Sequence, residues 1–255
     1  MVRLPDLFAS LFVISVKREL AFRANLLMNI MHTVVSVAAS QFMIVVVFES
    51  TGEIAGWTRN DMTVLLGVYL IIDGMLATFV EPNVLWFAGQ VQSGKLDEML
   101  LRPVSALFQL SLTNHAPLRL VQVAIGIGFV TVARSSIGDV VLGTYLLVLG
   151  LIIAWIMRVG ISLLALWFPA LMLDVVFEAT WRFGRFPVSM FDRSLQFFLT
   201  WVIPLGLIAT WPTLALTGGI KAWQVAAASV ATVILSIGMR MMGRRGIRRY
   251  VGATS

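Results

Sequence analysis

Four carboxylates and two arginines stand where an apolar chain has least reason to keep them. Asp73 and Glu81 lie in and just after one apolar stretch, Arg158 lies in another, and Asp174, Glu178 and Arg182 interrupt a third. A charge at the centre of a bilayer costs about 2.5–3.5 kcal/mol on insertion scales, so none of them can face lipid. Spacings of i, i+4, i+8 and i+11 put Asp174, Glu178, Arg182 and Arg185 on one helical stripe, where they could pair with one another or line a protein-facing or wet surface. Asp73 shares a face with Ala77 and Glu81 and falls near mid-membrane. Its possible roles are pathway lining, pairing with Arg158 or Arg182, or survival as a neutral acid kept so by burial. A membrane-embedded enzyme using Asp174, Glu178 and His115 is a different class of reading, but no paired motif of a known intramembrane chemistry accompanies them. An ion-coupled carrier using Asp73 would call for inverted repeats, and no internal repeat is visible. His32 and His115 stand apart from any second ligand at metal spacing, so no metal site is expected.

A second segment invites a nucleotide. Gly89-Gln-Val-Gln-Ser-Gly94-Lys95 matches most of the phosphate-binding pattern G-x-x-x-x-G-K-[ST]. Position 96 is Leu where Mg²⁺ would need a hydroxyl, the preceding residues follow an apolar span, and no strand-helix unit surrounds it. If ATP drives this protein, another chain binds it. The same region reads better as a short water-facing helix. Asp97 and Glu98 fall in its first turn and Arg102 in its last, which suits the helix dipole, and Pro103 stops it. Leu96, Met99, Leu100 and Pro103 form an apolar edge at i, i+3, i+4 and i+7, leaving Lys95, Asp97, Glu98 and Arg102 for cytoplasm or a partner.

The elements that must position these residues are membrane helices. Of the 255 residues, 59% are hydrophobic and only 13% charged, and the mean hydropathy is +0.91. Soluble domains average about 45–50% apolar residues. Crossing a hydrocarbon core of about 30 Å takes about 20 helical residues, and apolar runs of that order recur. They fall at about residues 26–48, 62–80, 112–132, 140–166 and 222–242, so the fold class is an all-α membrane protein. Residues 5–20 turn Leu7, Phe8, Leu11, Phe12 and Ile14 to one side and Asp6, Ser10 and Lys17 to another, as in an interfacial helix. Small residues Ser36, Ala39 and Ser40 in the first run, and Ala124 and Gly128 in the third, suit close helix contact, within one subunit or between subunits. The net charge of +6 does not point to nucleic acid, because the basic residues are strung between spans rather than gathered on a soluble face. Cysteine is absent, which excludes thiol chemistry. The first apolar run is too long for the core of a cleavable leader, and none is expected.

Topology follows from charge. Arg240, Arg244, Arg245, Arg248 and Arg249 place the C-terminus in the cytoplasm by the positive-inside rule. Arg3, Lys17, Arg18 and Arg23 do the same for the N-terminus, and Lys95, Arg102 and Arg119 for the loop with the short helix. Both termini inside require an even number of spans, and six fits if residues 170–186 cross. A rival keeps residues 169–194 inside, with Arg182, Arg185 and Arg193, and makes residues 195–216 the fifth span. Pro204, Gly206 and Pro212 cut that stretch into pieces of about ten residues, each too short to span, which read as a re-entrant hairpin; the alternative is a single Pro-kinked transmembrane helix.

The stretch Gly94-Lys-Leu-Asp97-Glu-Met-Leu-Leu-Arg102-Pro103-Val104-Ser105 resembles the G-x-L-D-x-x-L-L-R-P-[VI]-S segment after the second span in one branch of the ABC-2-type permeases. Residues 204–218 resemble the family's hairpin before the last span, and Arg245-Gly-Ile-Arg-Arg-Tyr250 its basic tail. The resemblance implies a single ABC-2-type transmembrane domain over residues 1–255. It would comprise an N-terminal cytoplasmic interfacial helix (1–25), a six-span bundle (26–242) with an external re-entrant hairpin, and a basic cytoplasmic tail (243–255). It further implies the permease subunit of an ATP-driven bacterial exporter in the plasma (inner) membrane, not an enzyme by itself. Such a subunit pairs with a second permease, identical or not, and docks two cytosolic ATPase subunits that carry ATP and Mg. Its cargo would be a small amphipathic molecule, drug or lipid-like substrate. Residues 93–103, with Lys95, Leu96, Asp97, Glu98, Met99, Arg102 and Pro103, would form the coupling helix, and Asp73, Glu81, Asp174, Glu178 and Arg182 would be pathway or interhelical polar residues. The six-span pattern of the family prevails over the charge rule for Arg182 and Arg185.

Overall fold

Residues 4–21, 23–92, 113–133, 135–164 and 173–253 are described by a computed structural model of the chain. Among them the one sheet is a two-residue ribbon, Glu53–Ile54 (β1) paired with Trp57–Thr58 (β2). The rest is helix and connection, an all-α membrane protein. Leu4–Ala21 (α1) leads into Arg23–Thr51 (α2); after the ribbon come Arg59–Phe79 (α3) and Glu81–Gln92 (α4). A 3-10 turn at Pro117–Arg119 opens Leu120–Val130 (α5), which is followed by Ile137–Leu164 (α6) and Leu173–Trp181 (α7). Arg193–Phe197 (α8) continues as a π-helical turn, and a second π-helical turn at Gly206–Thr210 enters Trp211–Leu216 (α9). Ala222–Ala253 (α10) completes the described chain.

Local chemistry sets these boundaries. The Thr58 hydroxyl accepts from the Asp61 N–H, and the Asp61 carboxylate accepts from the Thr58 N–H, a reciprocal cap that starts α3. Ser136 and Asp139 repeat the device at α6. Between β1 and β2, Ala55 and Gly56 both hold positive φ, 53° and 78°, the conformation that a two-residue hairpin turn demands. Pro82, which has no N–H to donate, sits in the first turn of α4, just past the break at Val80.

Among the described residues, four helices are long and apolar enough to cross a membrane: Leu26–Thr51, Arg59–Phe79, Ile137–Leu164 and Ala222–Gly243. Pro117–Val130 is apolar but shorter, and Arg193–Val202 with Gly206–Leu216 forms a pair bent by 81°, which would make a fifth if it counts as one span. α3 is the hub, with 72% of its apolar window buried against 6% for Leu26–Thr51. It packs most extensively on α5, and glycine makes that approach possible. A Cβ on Gly67 would stand 2.8 Å from the Gly126 carbonyl, and one on Gly126 would stand 2.7 Å from the Gly67 carbonyl. Ala124 and Gly128, expected to make helix contacts within or between subunits, make none among the described residues of this chain: both are exposed, and a Cβ on Gly128 would meet nothing within 4 Å. The contact face lies between them, at Gly126.

The stripe expected from Asp174 to Arg185 is interrupted. α7 ends at Trp181, and Arg182–Arg185 tightens into a 3-10 turn that rotates the last two residues away from the α-helical register. The segment nonetheless runs antiparallel to α3. Asp174 lies at the level of Glu81, Trp181 bonds Asp73, and Gly184 faces the Tyr69 ring.

Candidate functional site: a buried ion cluster and a clamped loop exit

Arg158, in the second half of α6, is 1% exposed, among the most buried large side chains of the described residues. Its guanidinium fork donates from Nε to Glu81 Oε1 at 2.5 Å and from Nη2 to Glu81 Oε2 at 2.7 Å. Nη1 donates to Asp174 Oδ1 at 2.6 Å and at longer range to Ser162 Oγ, while the Phe177 ring lies 4.7 Å from the guanidinium carbon. A buried arginine without this shell would carry a desolvation cost of several kcal/mol, and two carboxylates, a hydroxyl and a π face offset it. The cluster ties α6 to the α3–α4 break and to the start of α7.

About two turns along α3 from Glu81, Asp73 has a separate shell. Its Oδ1 accepts from the Trp181 indole at 2.6 Å and its Oδ2 from the Gln122 amide at 2.5 Å. Trp181 also stacks on Phe177 at 5.4 Å, so the two polar centres share an aromatic wall. Asp73 therefore pairs with neither Arg158 nor Arg182, pairing with either having been one of the alternatives for it. Arg158 takes Glu81 and Asp174 instead because its fork reaches two carboxylates near the helix ends, where water still touches them. Glu178 and Arg182 are exposed, with no hydrogen bond or ion pair among the described residues, so the mutual pairing expected along that stripe does not form.

Residues 93–112, which include Lys95, Leu96, Asp97, Glu98, Met99, Arg102 and Pro103, lie outside the described residues. Their flanks do not. The Asn83 amide donates to Phe79 O and to Asn114 O at 2.6 and 2.9 Å, and its Oδ1 accepts from the Asn114 N–H at 2.6 Å. Ala116 N–H donates to Thr78 O at 2.9 Å. From α1, Glu19 accepts from the Leu118 N–H at 2.9 Å, and Arg18 reaches the His115 carbonyl at 3.4 Å. The return from this loop is thus bolted to the α3–α4 corner and to α1. The helix after it starts at Pro117, so His115 lies in the connection before the helix rather than within the apolar run expected from residue 112. Its ring is 1% exposed and held edge-on by Phe8, Phe12 and Phe79 at 5.1–5.7 Å, and among the described residues neither ring nitrogen has a hydrogen-bond partner. Burial among those rings pushes its pKa below the usual imidazole value, and the Arg18 charge acts in the same direction.

Three residues central to this arrangement, Asn83, Gln122 and Trp181, were not singled out by sequence reasoning. The amides had a signal: an Asn or Gln inside an apolar run needs a partner as a charge does. Among the described residues, no three of His, Asp and Glu are grouped to hold a metal ion.

Long apolar helices, with their few charges spent on tying helices together, define a multi-pass helical membrane protein. The model of the ABC-2 family transporter proteins matches residues 34–254, and the chain belongs to that family. It is thereby a membrane component of ABC transport, a part that is not itself catalytic, and the family implies association with ABC ATPase partners. No curated protein and no solved structure matches the chain.

Proposed function

We propose that the chain is the permease subunit of an ATP-driven exporter of a small amphipathic molecule, drug or lipid-like substrate. It pairs with a second permease in the bacterial plasma membrane and is driven by two cytosolic subunits that hold ATP and Mg. Both termini and residues 93–103 face the cytoplasm, and Lys95, Leu96, Asp97, Glu98, Met99, Arg102 and Pro103 engage the ATPase. The observation that carries the coupling role is the clamp at the loop exit. A push on a segment bolted at Asn83, Asn114 and Ala116 is delivered to the α3–α4 corner, and Glu81 in that corner passes it through Arg158 to α6 and through Asp174 to α7. In this reading residues 170–186 form the fifth crossing. The pair Arg193–Val202 and Gly206–Leu216 is an external re-entrant hairpin. Its returning limb passes from beside Gly150 to beside Gly143 of α6, toward the end where Ser189 accepts from the Trp57 indole beside β1. The polar residues Asp73, Glu81 and Asp174 brace helices. Glu178 and Arg182 are free to meet water or a partner.

Co-expression with an ATPase encoded beside this chain tests the proposal. A stable complex is expected, and its transport-coupled ATP hydrolysis should collapse when Lys95, Asp97 and Arg102 are changed together to Ala. No complex, or unchanged coupled hydrolysis, would overturn it.

A further inference from the structure

The bent segment before α10 holds a pocket of about 290 Å³ that no step above uses. Its wall is a chain of three indoles in edge-to-face contact: Trp201 on Trp211 at 6.0 Å and 84°, and Trp211 on Trp223 at 5.7 Å and 81°. Interfacial tryptophans usually turn toward lipid headgroups. Here Trp211 turns inward, at 4% exposure, while Trp201 and Trp223 leave their faces open on either side of it. Phe197 adds a fourth ring to the lining.

The polar groups around this apolar wall are mainly donors. Arg193 lines the pocket and has no hydrogen bond or ion pair among the described residues. The Oδ2 of its neighbour Asp192 is occupied by the N–H groups of Ser194 and Leu195. Gln224 spends its Oε1 on the Lys221 N–H, which leaves its amide N–H groups to point elsewhere, and Gln196 contributes a second side-chain amide. No carboxylate is among the lining residues. An unpaired guanidinium with amide donors beside an aromatic slot suits an anion attached to an apolar body.

We infer that this pocket binds an anionic amphiphile, with its phosphate or carboxylate headgroup on Arg193 and the amides and its apolar part against Trp201, Trp211 and Trp223. The chemistry is shared by a bilayer phospholipid and by a molecule in transit, and the test separates the two.

Purified full-length protein in a neutral maltoside detergent is titrated with octyl phosphate below its micelle concentration, with tryptophan fluorescence as the readout and octyltrimethylammonium as the opposite charge. A saturable change is expected with the phosphate alone. Arg193→Gln should weaken it at least tenfold, Arg193→Lys should keep part of it, and Trp201→Phe should reduce its amplitude. Arg193 and Trp201 are both exposed enough that these variants retain the fold, which an unchanged unfolding temperature verifies. Equal responses to the two amphiphiles, or undiminished binding by Arg193→Gln, would overturn the assignment. Repeating the titration in nanodiscs identifies the source. Competition by phosphatidylglycerol, but not by phosphatidylcholine, marks the occupant as a bilayer lipid, and its absence marks a ligand from solution or in transit.

Discussion

Arg158 grips Glu81 through two parallel bonds of 2.5 and 2.7 Å, joining the second half of one long membrane helix to the corner at which another turns. Such a fork fixes distance and orientation together, which a lysine cannot do. Asp174, on the third nitrogen, is more open to water, with 43% of its side chain exposed against 24% for Glu81. The two carboxylates are therefore unequal. Arg158→Met leaves both acids without their partner, and the expected loss is about 3–5 kcal/mol, the range for breaking a buried pair. Glu81→Gln should lose less, Asp174→Asn under about 1 kcal/mol because water screens that arm, and Glu178→Gln no more than about 0.5 kcal/mol as a surface change. Thermal unfolding of the four purified variants checks the order. Equal losses at positions 81 and 174 would contradict it.

How far this cluster was legible depends on what kind of signal each residue carried. Charges in apolar runs are conspicuous, so Asp73, Glu81, Arg158 and Asp174 all stood out. Their pairing did not, because it depends on how helices are rotated and staggered, and periodicity within one helix is silent on its neighbour's phase. Arg158 sits 77 residues from Glu81 in sequence and Asp73 sits 108 from Trp181. Spans at residues 26–48, 62–80 and 222–242 were visible because length and apolarity decide them alone. The stripe from Asp174 to Arg185 failed as a continuous helix because spacing arithmetic assumes 3.6 residues per turn, and the chain tightens after Trp181.

Close packing gives a second prediction. Gly67 and Gly126 present their backbones to each other, and a methyl group on either would fall within 3 Å of a carbonyl oxygen. Carbonyls on neighbouring helices cannot swing aside as a flexible side chain can, so the helices must separate. Gly67→Ala and Gly126→Ala should each cost about 1–3 kcal/mol through overpacking, whereas Gly128→Ala, with nothing within 4 Å, should be neutral or slightly stabilising through better helix propensity. Comparing melting temperatures of the three variants decides it. A loss at Gly128 matching that at Gly126 would place the contact face wrongly.

His115 predicts a pH dependence. Its folded pKa is depressed below the ordinary imidazole value of 6.5. Between that lowered value and about 6.5 the unfolded chain takes up a proton that the folded protein refuses, so stability rises with pH across this window and falls on acidification. Arg18 donates to the His115 backbone carbonyl at 3.4 Å, and a second cation beside three phenylalanine rings finds, among the described residues, no hydrogen-bond acceptor for either N–H. His115→Phe should remove the acid-side slope and keep or raise stability at neutral pH, because the ring fills the same cage and leaves no orphaned nitrogen. Unfolding temperatures at pH 5, 6 and 7.5 for both proteins provide the check. An unchanged slope in the variant would assign the effect to other groups.

The clamp at the loop exit can be separated from the fold it belongs to. Asn83 bonds Phe79 within its own helical corner and Asn114 across the loop, so one side chain serves both connections. Asn114→Ala keeps every bond of the clamp, because residue 114 takes part through its backbone N–H and C=O, whereas Asn83→Ala removes all three bonds and leaves part-buried backbone groups of the exit without their partner. Asn83→Ala should therefore cost about 1–3 kcal/mol of stability and, in the assembled transporter, lower transport per ATP hydrolysed more than it lowers hydrolysis itself. Asn83→Asp keeps the acceptor for the Asn114 N–H but turns an acceptor-only carboxylate oxygen toward the Phe79 and Asn114 carbonyls in a buried site, so it should cost at least as much as the alanine variant. Measuring transport and hydrolysis in the same proteoliposomes distinguishes the outcomes. If both fall in proportion, Asn83 supports only the stability of the corner, and force must leave residues 93–112 by another route.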